Sequence, residues 1–243
     1  MSKSNRSDRP HILFVDDQGK RHFERVCPNL SAVKCMKARP FRYDTLDYAK
    51  SVTQGKAQFA KYASRVSNRG LKRIITALGA LENGSWAIDH QSGLSLTQMK
   101  QIQAWTGTLV IFDLDGTLQQ MDYLWGGSFA AAVNSFTLLC GEKITPYELA
   151  TFYLGGDVRT RHIKQMFDVL KQRGIKVKIL TLNRHAHLAR YVSDLFKAIG
   201  VHIGANDIIK AGKTKGENIK DILLTEGART VKGRTCASKG AKT

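Results

Sequence analysis

The chain is poor in cysteine, in acidic residues and in long apolar runs, and each shortage removes a class of protein. The four cysteines, Cys27, Cys35, Cys140 and Cys236, are scattered, and no two form a C-x-x-C pair. That spacing offers neither a zinc site nor a disulfide framework, and a reducing intracellular compartment, cytoplasmic or nuclear, is the default expectation. No apolar run approaches the length needed to span a bilayer, so no membrane partner is expected. Residues 1–10 are polar and basic and lack an apolar h-region, so no secretory signal is expected and the stretch reads as disordered. Acid is the scarcest charge: 20 Asp and Glu stand against 38 Lys and Arg, a net charge of +18. A surplus of that size favours polyanionic partners such as nucleic acid or phosphorylated ligands.

What remains is a soluble-type composition, 42% apolar and 24% charged over 243 residues. That is enough chain for one α/β domain with a sizeable core and an accessory segment. The most informative stretch is Leu109-Val-Ile-Phe-Asp-Leu-Asp-Gly-Thr-Leu118. Its apolar, β-branched start reads as a buried parallel strand. The strand ends in Asp113 and Asp115, with no base beside them in sequence. Two carboxylates crowded at a strand's carboxyl end make sense when a cation lies between them or when one stays protonated.

This run resembles motif I of the haloacid dehalogenase superfamily, D-x-D-G-T-[LV]. The resemblance implies Asp113 as a nucleophile that accepts a phosphoryl group and Asp115 as general acid and base, with Mg²⁺ held by both. Gly116 and Thr117 belong to the same motif and are expected beside the substrate.

Earlier in the chain, His11-Ile-Leu-Phe-Val-Asp-Asp17 is a second short apolar strand ending in carboxylates. On residue type alone, Asp16 and Asp17 also suit a turn or a helix N-cap. The stretch resembles the family's motif IV, which implies that this pair completes the metal site, with Asp17 preferred over Asp16 as the direct ligand. A helical stretch holding His22, Phe23 and Val26 follows, stopped by Pro28, and then a short strand at Ala32 to Met36.

Residues 40–106 form a basic, helical connection. Seven Lys and Arg and no acid lie between Tyr48 and Leu81. Lys61, Arg65, Arg69 and Arg73 share one helical face. Residues 50–73 read equally as a surface for nucleic-acid phosphates and as an ordinary solvated face. Leu94 to Trp105 reads as a further helix leading into the motif I strand.

Beyond Leu118, Gln119 to Gly127 reads as a loop. Ser128 is placed to cap a helix ending near Cys140, with Gly141 after it. Thr145-Pro146-Tyr147-Glu148 reads as a capping box with proline at the first helical position. These helices, within residues 119–156, are expected to form a small cap over the site. Asp157 starts an amphipathic helix closed by Gly174.

Ile175 to Thr181 is a strand ending in a hydroxyl and resembles motif II. The resemblance implies that Thr181 binds the transferring phosphoryl group and that Asn183 and Arg184 orient substrate. After another amphipathic helix (Leu188 to Ile199), the run Lys210-Ala-Gly-Lys-Thr-Lys215 resembles motif III, a lysine at a helix start. Lys215 is the first choice, with Lys210 and Lys213 as alternatives. Residues 226–243 read as a basic, disordered tail without periodicity, a second candidate nucleic-acid contact.

The four resemblances occur in the order IV, I, II, III, which implies a circularly permuted member of the family. The fold expected is a three-layer Rossmann-like parallel sheet, with core segments at residues 11–39 and 107–225. Residues 40–106 then join the family's usual chain ends, as permutation allows when those ends lie close together at the surface. The implied activity is a Mg²⁺-dependent phosphatase acting through an aspartyl-phosphate on a nucleic-acid or other polyanionic phosphate. The alternatives are a catalytically silent basic scaffold of the same fold that binds nucleic acid, and a receiver-like phosphoacceptor domain. The long interval between Asp17 and Asp113 argues against the last.

Overall fold

A computed structural model describes residues 11–17, 33–38, 93–119, 127–183, 186–212 and 214–236. Five strands are among them: β1 (Ile12–Asp16), β2 (Val33–Lys37), β3 (Leu109–Phe112), β4 (Lys176–Thr181) and β5 (Ile208–Lys210). They form one all-parallel sheet in the order β2-β1-β3-β4-β5. The order carries a topological consequence. From β3 the chain steps outward through β4 to β5, whereas β1 and β2 step outward on the other side. The reversal lies between β1 and β3, and in open α/β sheets the crevice at such a reversal, at the strands' carboxyl ends, is where ligands bind.

Register brings the two acidic strand ends together. Val15 is level with Phe112, and the Asp113 amide donates to the Val15 carbonyl at 2.8 Å. β1 and β3 are buried along their whole lengths, as central strands covered on both faces must be. Alternation then sorts their side chains. Leu13, Val15, Val110, Phe112 and Ile179 enter one apolar cluster. Ile12, Phe14, Leu109, Ile111 and Leu180 enter the other.

The first face is covered by α1 (Leu96–Gln103), α4 (Asp157–Gln172) and α5 (Leu188–Ala198). Met99, Ile102, Ile163, Met166 and Phe167 are buried there, with the Phe167 ring 5.4 Å from that of Phe112. The second face is covered by α6 (Lys215–Cys236) through Ile219 and Ile222. The layered α/β expectation is therefore met.

The local signals also act as read. Ser128 caps α2 (Phe129–Cys140), and Gly141 closes it with a left-handed φ of 69°. Thr145 and Glu148 make a reciprocal capping box at the start of α3 (Pro146–Tyr153), with proline in the first turn. Helices α2 and α3 pack on each other and on α5, and their apolar residues join the first-face cluster. The short strand read at Ala32 to Met36 is β2, displaced by one residue. Helix α6 runs to Cys236, so it continues into residues where the sequence has no apolar periodicity. The basic stretch 50–73, the helix read around His22 to Val26, and residues 237–243 lie outside the described residues. Among the described residues no helix is long and apolar enough to cross a membrane.

Candidate active site

Strand parity builds the site. Residues 12, 14 and 16 of β1 face the same way, as do 109, 111 and 113 on and just beyond β3. Both sets point toward α6, whose first residue is Lys215. Its ammonium reaches both strand ends, lying 2.9 Å from Asp16 Oδ2 and 2.7 Å from Asp113 Oδ2. All three side chains are about 95% buried. Lys215 is thus the motif III candidate that the fold brings to the carboxylates. Lys210 donates instead to the Ala186 carbonyl at 3.3 Å, and Lys213 lies outside the described residues. A capping box between Thr214 and Glu217 fixes the turn that presents Lys215.

Asp16, Asp17 and Asp113 form one acidic cluster, with a ligand oxygen from each lying within 4.8 Å of the others. Three carboxylates against one ammonium leave a formal surplus of two negative charges in a site largely closed to water. Such a surplus is costly unless a cation or protons offset it. Burial pushes the Asp113 carboxyl up to about 8, with Lys215 opposing that rise and Asp16 adding to it. Burial and repulsion from Asp16 also raise Asp17. Burial works against the Lys215 ammonium, but Asp113 and Asp16 outweigh it and hold the group above its ordinary 10.5. The arrangement has both remedies the sequence suggested: a carboxyl that retains its proton, and an all-oxygen donor set suited to a hard cation.

The second aspartate has a different environment. The Asp115 carboxylate accepts from the Thr181 hydroxyl at 3.2 Å through Oδ2 and from the Gln119 side-chain amide through Oδ1. It is not one of the three carboxylates that converge; its backbone carbonyl is the other oxygen it could offer a metal. Thr181 is fully buried at the end of β4 and accepts from the Asn183 amide at 3.1 Å. Arg184 is outside the described residues.

The loop carrying these groups is folded back on itself. Gly116 takes a φ of 72°, a conformation open to glycine at little cost. The Gly116 amide then donates to the Gln119 carbonyl at 3.0 Å, and the amides of Leu118 and Gln119 both donate to the Leu114 carbonyl at 3.0 Å. The Leu114 amide donates to Asp113 Oδ1 at 2.8 Å, fixing the carboxylate's rotation. Thr117 is buried and its hydroxyl has no hydrogen-bond partner among the described residues.

Two contributors escaped the sequence reading. By sequence Gln119 reads as the first residue of a loop, yet it is fully buried against Asp115. Arg159, on α4, clamps the far side of the same loop. Its guanidinium donates to the Thr117 and Leu118 carbonyls at 2.9 and 3.2 Å and to the Leu94 carbonyl. A β-carbon at Gly93 would stand 2.7 Å from Arg159 Nη2, so the clamp needs glycine there. A motif-length pattern carries no signal for either residue, because both are recruited by the folded loop.

No family model matches the chain, and no curated protein or solved structure shows significant similarity to it.

Proposed function

We propose that the protein is a Mg²⁺-dependent phosphatase of the haloacid dehalogenase type, circularly permuted, acting through an aspartyl-phosphate at Asp113. The observation that carries this reading is the convergence of Asp113, Asp16, Asp17 and Lys215 at one strand-end crevice. Lys215 and Asp16 are 199 residues apart and form a buried pair at 2.9 Å. Motif resemblances read separately from four segments thus meet at one place. The permutation is supported by the sheet: β5, α6 and β1 would form a parallel strand–helix–strand unit if the chain joined α6 to β1.

The donor set fits Mg²⁺, a hard cation bound through oxygen. Asp113, Asp17 and the Asp115 carbonyl would hold it, with the Lys215 ammonium bridging Asp113 and Asp16. When bound, the ion supplies charge neutralisation for the phosphoryl oxygens. An Asp113 oxygen attacks phosphorus in line, and the leaving oxygen departs with the electron pair of its bond to phosphorus. Asp115 gives that oxygen a proton and later takes one from the water that hydrolyses the aspartyl-phosphate. Lys215 donates to the phosphoryl oxygens, where negative charge accumulates, and the Thr181 hydroxyl turns to them from Asp115 Oδ2 when substrate binds.

The net charge of +18 supports a substrate phosphate carried by nucleic acid or another polyanion. The same charge supports a second reading, a silent nucleic-acid-binding scaffold of this fold. Hydrolysis of an aryl phosphate separates the two. The enzyme reading expects Mg²⁺-dependent turnover that Asp113→Asn abolishes with folding intact. Absence of turnover across several phosphate esters by the folded protein, together with salt-sensitive binding to RNA or DNA, would establish the scaffold instead.

A further inference from the structure

Gln119 is an unusual occupant of its position. It is fully buried beside Leu114 and Leu118, which are also fully buried, so an apolar side chain would fill the space without the cost of desolvating an amide. That amide is spent on one partner, Asp115 Oδ1. An ionised carboxylate only accepts hydrogen bonds, so the nitrogen end of the amide faces it. The Oε1 end has no hydrogen-bond partner among the described residues. Backbone bonds between Gly116 and Gln119 and from Gln119 to Leu114 fix the position of Gln119 within the same seven-residue turn that carries both aspartates.

We propose that Gln119 is a positioning residue that holds Asp115 for proton transfer to the leaving group. The inference rests on the phosphatase reading and adds to it a residue outside the motif resemblances. Each carboxyl oxygen has two lone-pair directions. The Gln119 amide takes one on Oδ1, and the Thr181 hydroxyl, which donates to Oδ2 here, has a single proton that bound substrate draws to the phosphoryl oxygens. As Asp113 forms its bond to phosphorus, the bond from phosphorus to the leaving oxygen breaks, its electron pair stays on that oxygen, and the proton passes there from Asp115. Without Gln119 the side-chain bond to Oδ1 is lost, and Asp115 gains freedom about its side-chain torsions.

The consequence depends on the leaving group. An alkoxide needs the proton as it departs, whereas a nitrophenolate is stable without it. The test compares kcat/KM, which reports the phosphoryl-transfer step, for p-nitrophenyl phosphate and for glycerol phosphate with the full chain and Mg²⁺. Gln119→Met keeps the volume and removes the donor. Gln119→Glu keeps the shape and cannot donate when ionised, so it serves should the first variant not fold. The expected result is a loss on the alkyl substrate at least about tenfold greater than on the aryl one, part of the roughly 10²–10⁴-fold supplied by a positioned acid. Equal losses on both substrates mark a merely structural role and overturn the inference, as does no loss on either, and both leave the phosphatase reading standing. A wild-type protein inactive on both substrates overturns the phosphatase reading and the inference together.

Discussion

Replacing Lys215 by methionine keeps most of the side-chain volume and removes the ammonium that bridges Asp16 and Asp113. The ammonium sits 2.9 and 2.7 Å from two carboxylates that are themselves about 95% buried. Solvent therefore screens this arrangement far less than an exposed pair, whose median worth is about 0–1 kcal/mol. Removing one partner of a buried pair costs about 3–5 kcal/mol, because the charge left behind is uncompensated. In a chain of this size each kcal/mol moves the midpoint by roughly 2–4 °C, giving a fall of about 6–20 °C. The sign of the pH dependence follows from the carboxyls. Asp113 already binds its proton more tightly when folded, up to about 8, so its contribution makes stability decline as pH rises from about 4 to 8. Without Lys215 the carboxyls hold protons more tightly still, so the variant recovers part of its loss on acidification. Thermal unfolding at pH 8 and pH 5, without added metal, should show the larger deficit at pH 8. A deficit below about 1 kcal/mol, or one equal at both pH values, would refute the buried-cluster argument.

Further outcomes follow from the same geometry. Mg²⁺ binding requires an ionised Asp113, so the ion's apparent affinity should rise about tenfold per pH unit below 8 and level off above it, with calorimetry in two buffers showing proton release. Asp17→Asn should weaken Mg²⁺ by about tenfold or more, since outer-shell partners alone are worth about 10–100-fold. Because Asp17 is half-buried and Lys215 bonds Asp16 and Asp113, the metal-free melting temperature should change little. Thr145→Ala removes the hydroxyl that caps α3 and should cost about 1 kcal/mol in denaturant unfolding, without altering Mg²⁺ affinity. Gly93→Ala forces a β-carbon against Arg159 and should lower activity and stability together, with Arg159→Met giving the same pattern.

The sheet was legible because its strands are short, uninterrupted apolar runs, and Leu109 to Phe112 admits little else. The caps at Ser128 and Thr145 were legible because capping is local chemistry. The pairing of Asp16 with Asp113 required a further inference, since sequence shows two acidic strand ends but not their adjacency. Resemblance in four segments supplied it, and the β1–β3 register supplies the geometry. The preference for Lys215 over Lys210 and Lys213 rests in the sequence on the helix start alone, because all three lie within six residues on the approach to α6. Strand parity and the start of the helix separate Lys215 from Lys210 in space. Gln119 was illegible for another reason. Its role depends on a loop that turns back by backbone bonds, and a glutamine after a motif looks like any surface residue until that turn is formed.

Trapping the covalent intermediate tests the account most directly. Turnover with Mg²⁺ and a phosphate ester would be quenched in acid, the acyl phosphate reduced with borohydride, and the peptides read by mass spectrometry. The account predicts conversion of Asp113 to homoserine in the wild-type protein, and none at that position in Asp113→Asn. Labelling of a different carboxylate, or sustained phosphate release with Asp113 never modified, would contradict it.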